Sequence, residues 1–138
     1  MCYYRFNKGE FIAGVDRVTS ITTREDLVRF LVDMKKILAR ENSLLLVERQ
    51  KNLQFLASLG YTINDAKMVL LNLSVKDYSA GPESDHNPSF PGYIWLFGYR
   101  VDGEELYIKI KLITGQFQRV VCISFHEAKW ALLYPFKE

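Results

Sequence analysis

"YIWLFGYRVDGEELYIKIKLITGQFQRVVCISFHEA", residues 93–128, decides the fold of this chain. Three apolar-rich runs are separated by two turn signals, "VDGE" at 101–104 and "TGQF" at 114–117. Asp-Gly is a strong two-residue hairpin signal, and Gly-X suits a type II′ turn. The stretch therefore reads as a three-strand antiparallel meander. Strand period sorts the side chains into two faces. In the middle strand Leu106, Ile108, Ile110 and Leu112 point one way, and Glu105, Tyr107, Lys109 and Lys111 the other. In the last strand Val121, Ile123 and Phe125 share a face, opposite Cys122, Ser124 and His126. With two-residue loops at both turns, Ile110 pairs with Val121, Ile108 with Ile123 and Leu106 with Phe125. Every pair is apolar, so the register is self-consistent. The second face then reads in rows: Arg100, Glu105, His126; Gly98, Tyr107, Ser124; Leu96, Lys109, Cys122. Gly98 beside Tyr107 leaves room above the sheet.

Upstream, the period changes to helical. Thr22 and Glu25 form a capping-box pattern, and Leu27, Phe30, Leu31, Met34 and Leu38 follow at helical spacing. Glu25 and Arg29 make a favourable i,i+4 pair. The spacing predicts a helix over 23–40. "SLLLVER" (43–49) is a short apolar run that can pair as a strand. A second helix is expected over 50–59, with Leu53, Leu56 and Ala57 inward and Gly60 as its stop. A third starts at Thr62, with Asp65 three residues on and Ala66, Val69, Leu70 and Leu73 as its buried stripe. "SAGPESDHNPSFPG" (79–92) holds three of the four prolines and reads as a long loop. Loops of that length are often functional; a plain helix-to-sheet linker is the alternative. Helices first and sheet last imply an α+β domain, its helices packed on one face of a twisted antiparallel sheet that ends in the meander.

The chain has 138 residues, which suits a single domain. Its 49% hydrophobic and 25% charged content is ordinary for a globular protein. Eighteen basic against 16 acidic residues give a net charge of +2, which excludes a strongly basic tail but not a basic patch. Cys2 and Cys122 are too few and too far apart for a disulfide framework or a metal motif. A cytoplasmic location is expected, because no signal-like or membrane-length apolar run is present. Residues 1–19 carry Tyr3, Tyr4, Phe6, Phe11 and Ile12 without a clear period, and their role stays open.

The polar face of the meander gathers Arg100, Lys109 and Lys111 with Tyr107, His126 and Glu105. Basic groups hold a phosphate backbone, and a tyrosine can stack on a base or bind a phosphate. Histidine exchanges a proton near neutral pH. Such a set suits metal-free RNA cleavage, which needs a 2′-hydroxyl deprotonated, phosphate charge stabilised and a 5′-oxygen protonated. No metal-ligand spacing appears; "SDH" at 84–86 offers too few ligands. No cofactor is called for. His126 and Tyr107 are candidate catalytic groups, with Lys109 for charge and Glu105 as helper. Arg100, Lys111 and His86 are candidate RNA contacts. Each residue alone has a plainer reading: solvated lysines, a packed tyrosine ring and a strand-end histidine on a half-buried sheet.

"LSVKDY" (73–78), Trp95, "LYIKIKL" (106–112) and "ISFHEA" (123–128) resemble the MqsR family of bacterial toxins, with a weaker likeness through "VERQKNLQFLASLG" (47–60). The likeness runs over about 43–128. It leaves 20–42 as an added helix, 1–19 as an extension and 129–138 as a tail. The resemblance implies a RelE-like fold and an endonuclease of mRNA, free or ribosome-bound, held in check by a cognate antitoxin protein. Tyr107 matches a tyrosine implicated in the family's active site, and Lys109 the lysine of its "YLKI" strand. His126 stands where the family has a lysine after "SF". Ala80 stands where a lysine is expected after "DY", and Leu96 where a glutamine follows the tryptophan. A non-catalytic binding module on the same fold is the alternative function, and a structural domain with an incidental basic face is the third.

Overall fold

The computed structural model describes residues 22–85 and 92–137. Three α-helices come first: α1 (Arg24–Leu38), α2 (Gln50–Leu59) and α3 (Ile63–Leu71), with β1 (Leu44–Leu46) between α1 and α2. A short 3-10 turn at Val75–Asp77 leads into β2 (Tyr78–Ser84), β3 (Tyr93–Val101), β4 (Glu104–Ile113) and β5 (Arg119–Glu127). The sheet order is β1-β5-β4-β3-β2. Strands β2 to β5 are antiparallel neighbours, while β1 joins β5 in parallel. The fold is α+β as expected, but the sheet is mixed, because the helical segment after β1 carries the chain away from β5 and the meander brings β5 back alongside it.

Each helix follows its apolar spacing. α1 buries Leu27, Phe30, Leu31, Met34, Ile37 and Leu38. Its N-cap is Thr23, which accepts from the Asp26 amide, one residue later than the Thr22 and Glu25 box read from sequence. Arg29 pairs with Asp26 at 3.7 Å rather than with Glu25. α2 is rotated from its expected stripe. Asn52, Phe55 and Leu56 are buried, whereas Leu53 is 46% exposed and Ala57 is exposed. Gly60 ends α2 in the left-handed region, as expected. In α3, the Thr62 and Asp65 capping box forms, and Ala66, Val69 and Leu70 face inward with Leu73 beyond.

The helices cover one sheet face. Phe97, Leu106, Ile108, Ile110, Val120, Cys122 and Phe125 form its floor. The Phe30 ring stacks on Trp95 at 4.4 Å and lies 5.9 Å from Phe97. A buried aromatic of this kind contributes roughly 2–3 kcal/mol of apolar transfer. α1 is thus part of the core.

The first hairpin turn matches its reading: Val101 pairs with Glu104, and Asp102 and Gly103 both have positive φ, as a type I′ turn requires. The second does not. Residues 114–118 form a five-residue loop between Ile113 and Arg119, which moves the register by one. A bulge at Ile123 moves it by one more, because Lys109 faces Ser124 while Ile110 faces Cys122. The expected pairs of Ile110 with Val121, Ile108 with Ile123 and Leu106 with Phe125 are therefore replaced. Cys122 turns inward with Phe125, and Val121 joins the face of Ser124 and His126. The long loop expected over 79–92 is also part strand, since β2 occupies its first residues.

Candidate functional site

The two register shifts add to two residues at the C-terminal end of β5, so the side chains there keep their expected face but change rows. Tyr107 lies directly across from His126, and Lys109 across from Ser124. The Tyr107 and His126 rings stack with centroids 5.4 Å apart and planes 23° from parallel. The Lys109 Nζ sits 5.5 Å from the Tyr107 centroid, within cation–π range. All three side chains are half-buried on the sheet face that the helices leave uncovered.

His126 has a defined protonation pattern. Its Nδ1 lies 3.0 Å from the Glu127 carbonyl oxygen. A carbonyl only accepts, so Nδ1 carries a proton, and in the neutral ring the lone pair is on Nε2. Burial holds the imidazole below its usual range; the Glu127 hydrogen bond works the other way, and the charges of Lys51, Arg49 and Lys109 add to the depression. The ring is thus neutral at pH 7, with Nε2 able to take a proton.

Arg49 and Lys51 were not among the residues read from sequence. Arg49 is the N-cap of α2 and Lys51 lies in its first turn, which Asn52 fixes against β5. Asn52 is fully buried; its Nδ2 donates to the carbonyls of Val47 (2.9 Å) and Ile123 (3.0 Å). Its Oδ1 accepts from the Phe125 amide at 2.9 Å. One side chain thereby continues the ladder on β5 just past β1, at the bulge. That anchor brings Arg49 within 3.4 Å of Ser124 Oγ, to which it donates. A cleft of about 460 Å³ opens beside the anchor, lined by Lys51, Gln54, Phe55 and Ser58 of α2 and by residues His126 to Lys129. The signal in sequence was the polar, cationic run "VERQK", which reads equally as a solvated helix start.

The remaining sequence-derived candidates separate. Glu105 is not beside His126. Its carboxylate accepts from Tyr134 Oη at 2.6 Å and from the Leu132 amide at 3.4 Å. These tail residues fill the space above Gly98 that was expected to be open: a Cβ there would meet Tyr134 Oη and Leu132 Cδ1 at 2.1 and 2.8 Å. Burial, together with the Glu105 bond and charge, pushes the Tyr134 phenol well up. Arg100 pairs with Glu105 in register and donates to the Gly103 carbonyl at 3.2 Å, at the β3–β4 turn. Lys111 is 1% exposed and ion-paired with Asp85. Its ammonium serves that contact rather than solvent, which corrects its reading as a backbone-holding group. His86 lies outside the described residues, as does the 1–19 extension.

Tyr107, Lys109 and His126 share a face. Lys109 lines a shallow pocket with Ala80, Gly81, Glu83, Ile94 and Leu96, and His126 lines the cleft. Ala80 and Leu96, two of the departures from the family pattern, pair with each other, and Leu96 pairs with Lys109. Among the described residues, no group of three or more histidine, cysteine or acidic side chains is placed to hold a metal. No helix among them is long and apolar enough to cross a membrane.

The family model described as "Motility quorum-sensing regulator, toxin of MqsA" matches residues 29–127. The match begins inside α1, earlier than the residue 43 at which the motif likeness starts, and runs to the end of β5. No curated protein and no solved structure matches.

Proposed function

This chain belongs to the motility quorum-sensing regulator family, the toxins of toxin–antitoxin pairs, and from that premise we propose that it is an RNA endonuclease that cleaves without a metal. The observation that carries the reading is the stacked Tyr107 and His126 pair, with Lys109 over the phenol ring and Arg49 and Lys51 alongside. Neutral His126 takes the 2′-hydroxyl proton on Nε2, and the 2′-oxygen attacks the adjacent phosphorus. The phosphorus–5′-oxygen bond breaks, and the departing oxygen takes a proton from solvent. The products are a 2′,3′-cyclic phosphate and a 5′-hydroxyl. Tyr107 binds a non-bridging oxygen, while Lys109 and Arg49 stabilise the added negative charge as it develops. Lys111 and Arg100 have no part in this scheme, and Glu105 is occupied by the tail. The partner is a cognate antitoxin protein, whose binding over this face would block the site.

The test is incubation of purified protein with a defined RNA in EDTA, with product ends identified. Fragments ending in 2′,3′-cyclic phosphate are expected, and a single 2′-deoxy substitution at the cleaved position should stop the reaction. Tyr107→Phe should lower the rate while leaving the cleavage site unchanged. Fragments bearing 5′-phosphate, or cleavage unaffected by the 2′-deoxy substitution, would rule this chemistry out.

A second reading, RNA binding without cleavage, is favoured by one observation: Ala80 and Leu96 replace two expected polar groups side by side next to Lys109. Under that reading the strand is bound and recovered intact.

A further inference from the structure

The cleft beside His126 has an arrangement that the cleavage scheme does not use. Lys51 and Lys129 both line it, one from the first turn of α2 and one from the chain just after β5. Among the described residues neither ammonium is ion-paired with a carboxylate. The two repel each other: the Lys129 charge first, then burial and the Arg49 charge, hold Lys51 below the usual lysine range. Like charges kept this close cost free energy unless an anion lies between them. α2 itself begins without a side-chain cap and with no acidic residue in its first turn, so its N-terminal end adds to the positive field. Directly after Lys129 comes Trp130, 79% exposed. An indole left in water beside cations is the type of surface on which a nucleic-acid base stacks.

We propose that this cleft is a second nucleotide subsite, in which Lys51 and Lys129 clamp the RNA phosphate next to the scissile one and Trp130 stacks on that nucleotide's base. The subsite rests on the RNA-cleaving reading of the neighbouring residues and gives it a direction. One phosphate sits at Tyr107 and His126, and the strand continues over His126 toward α2. The chain past residue 127, beyond the family match, then contributes to substrate binding, so the length of RNA held is a property of this chain's own tail.

The test uses the full chain and a fluorescein-labelled, fully 2′-O-methylated RNA of mixed sequence, which binds and cannot be cut. Anisotropy titrations across a salt series give the slope of log K against log salt. In the Lys51→Ala, Lys129→Ala double variant the slope should fall in magnitude by about 0.7, the contribution of one single-strand phosphate. Lys51→Arg should keep the wild-type slope. Trp130→Ala should weaken binding several-fold at every salt concentration without changing the slope, because stacking carries no charge. All three positions are exposed, and a matching melting temperature confirms that each variant is folded. An unchanged slope in the double variant overturns the phosphate clamp, and wild-type binding by Trp130→Ala overturns the stacking contact. A parallel titration with polyglutamate covers an acidic protein segment as occupant. Loss of polyglutamate binding with RNA binding intact overturns the subsite. If the slope falls as stated and the wild type still leaves ordinary RNA uncut, the subsite stands and the nuclease reading fails.

Discussion

At the scale of single residues, the proposed cleavage scheme centres on the imidazole of His126. Its Nδ1 is committed to the Glu127 carbonyl, and its surroundings favour the neutral form. An NMR titration should place its pKa below 6.5, and Lys51→Ala or Arg49→Ala should move it up toward that value. The sign for stability follows. Between the folded value and 6.5 the unfolded chain binds more protons than the folded one, so stability should fall as pH drops through that window. His126→Gln should flatten this part of a urea-midpoint profile, and an unchanged profile would show that the folded ring titrates normally. The sequence made His126, Tyr107 and Lys109 legible because strand parity puts every second residue on one face. It did not reveal Arg49 and Lys51, since charges at a helix start look the same whether they are solvated or aimed at a neighbouring strand. Nor did it reveal that Lys111 is buried, because its partner Asp85 sits in a proline-rich segment with no period to read.

At the scale of elements, the helices and the Asp102–Gly103 turn were readable because spacing and turn chemistry are local. The 114–118 loop and the Ile123 bulge were not. "VVCI" is apolar in both parities, so neither register exposes an error there, and the two one-residue shifts together return His126 to its expected face two residues along β4. Asn52 is the part that makes the bulge tolerable, since it satisfies the strand backbone that the bulge would leave unpaired. Asn52→Ala should cost about 3 kcal/mol in urea unfolding, from lost hydrogen bonds and newly unsatisfied buried groups. A cost under about 0.5 kcal/mol would mean that water or a neighbour replaces the amide. The tail offers a second test. Gly98→Val would collide with Tyr134 and Leu132, so amide exchange over residues 130–136 should speed up while α1 and α3 stay protected. Unchanged tail protection would contradict its seat over Gly98.

At the scale of the whole molecule, the two sheet faces divide the labour. One is covered by three helices and supplies the core. The other carries the half-buried Tyr107, Lys109 and His126, with the tail crossing at Glu105, and the cationic cleft lies where α2 meets the end of β5. A net charge of only +2 gave no hint of this; the cations matter by position rather than by number. The family match spans that sheet but stops before the tail. Removal of residues 129–138 should therefore weaken RNA binding more than it slows bound-state cleavage, as measured by Kd against single-turnover rate. The most direct measurement is that single-turnover rate in EDTA for wild type and His126→Ala, with RNA binding measured on the same preparations. A drop of about 100-fold or more with binding retained is expected for a lost proton-transfer group. Equal rates in the two proteins would contradict the assignment of the chemistry to this face.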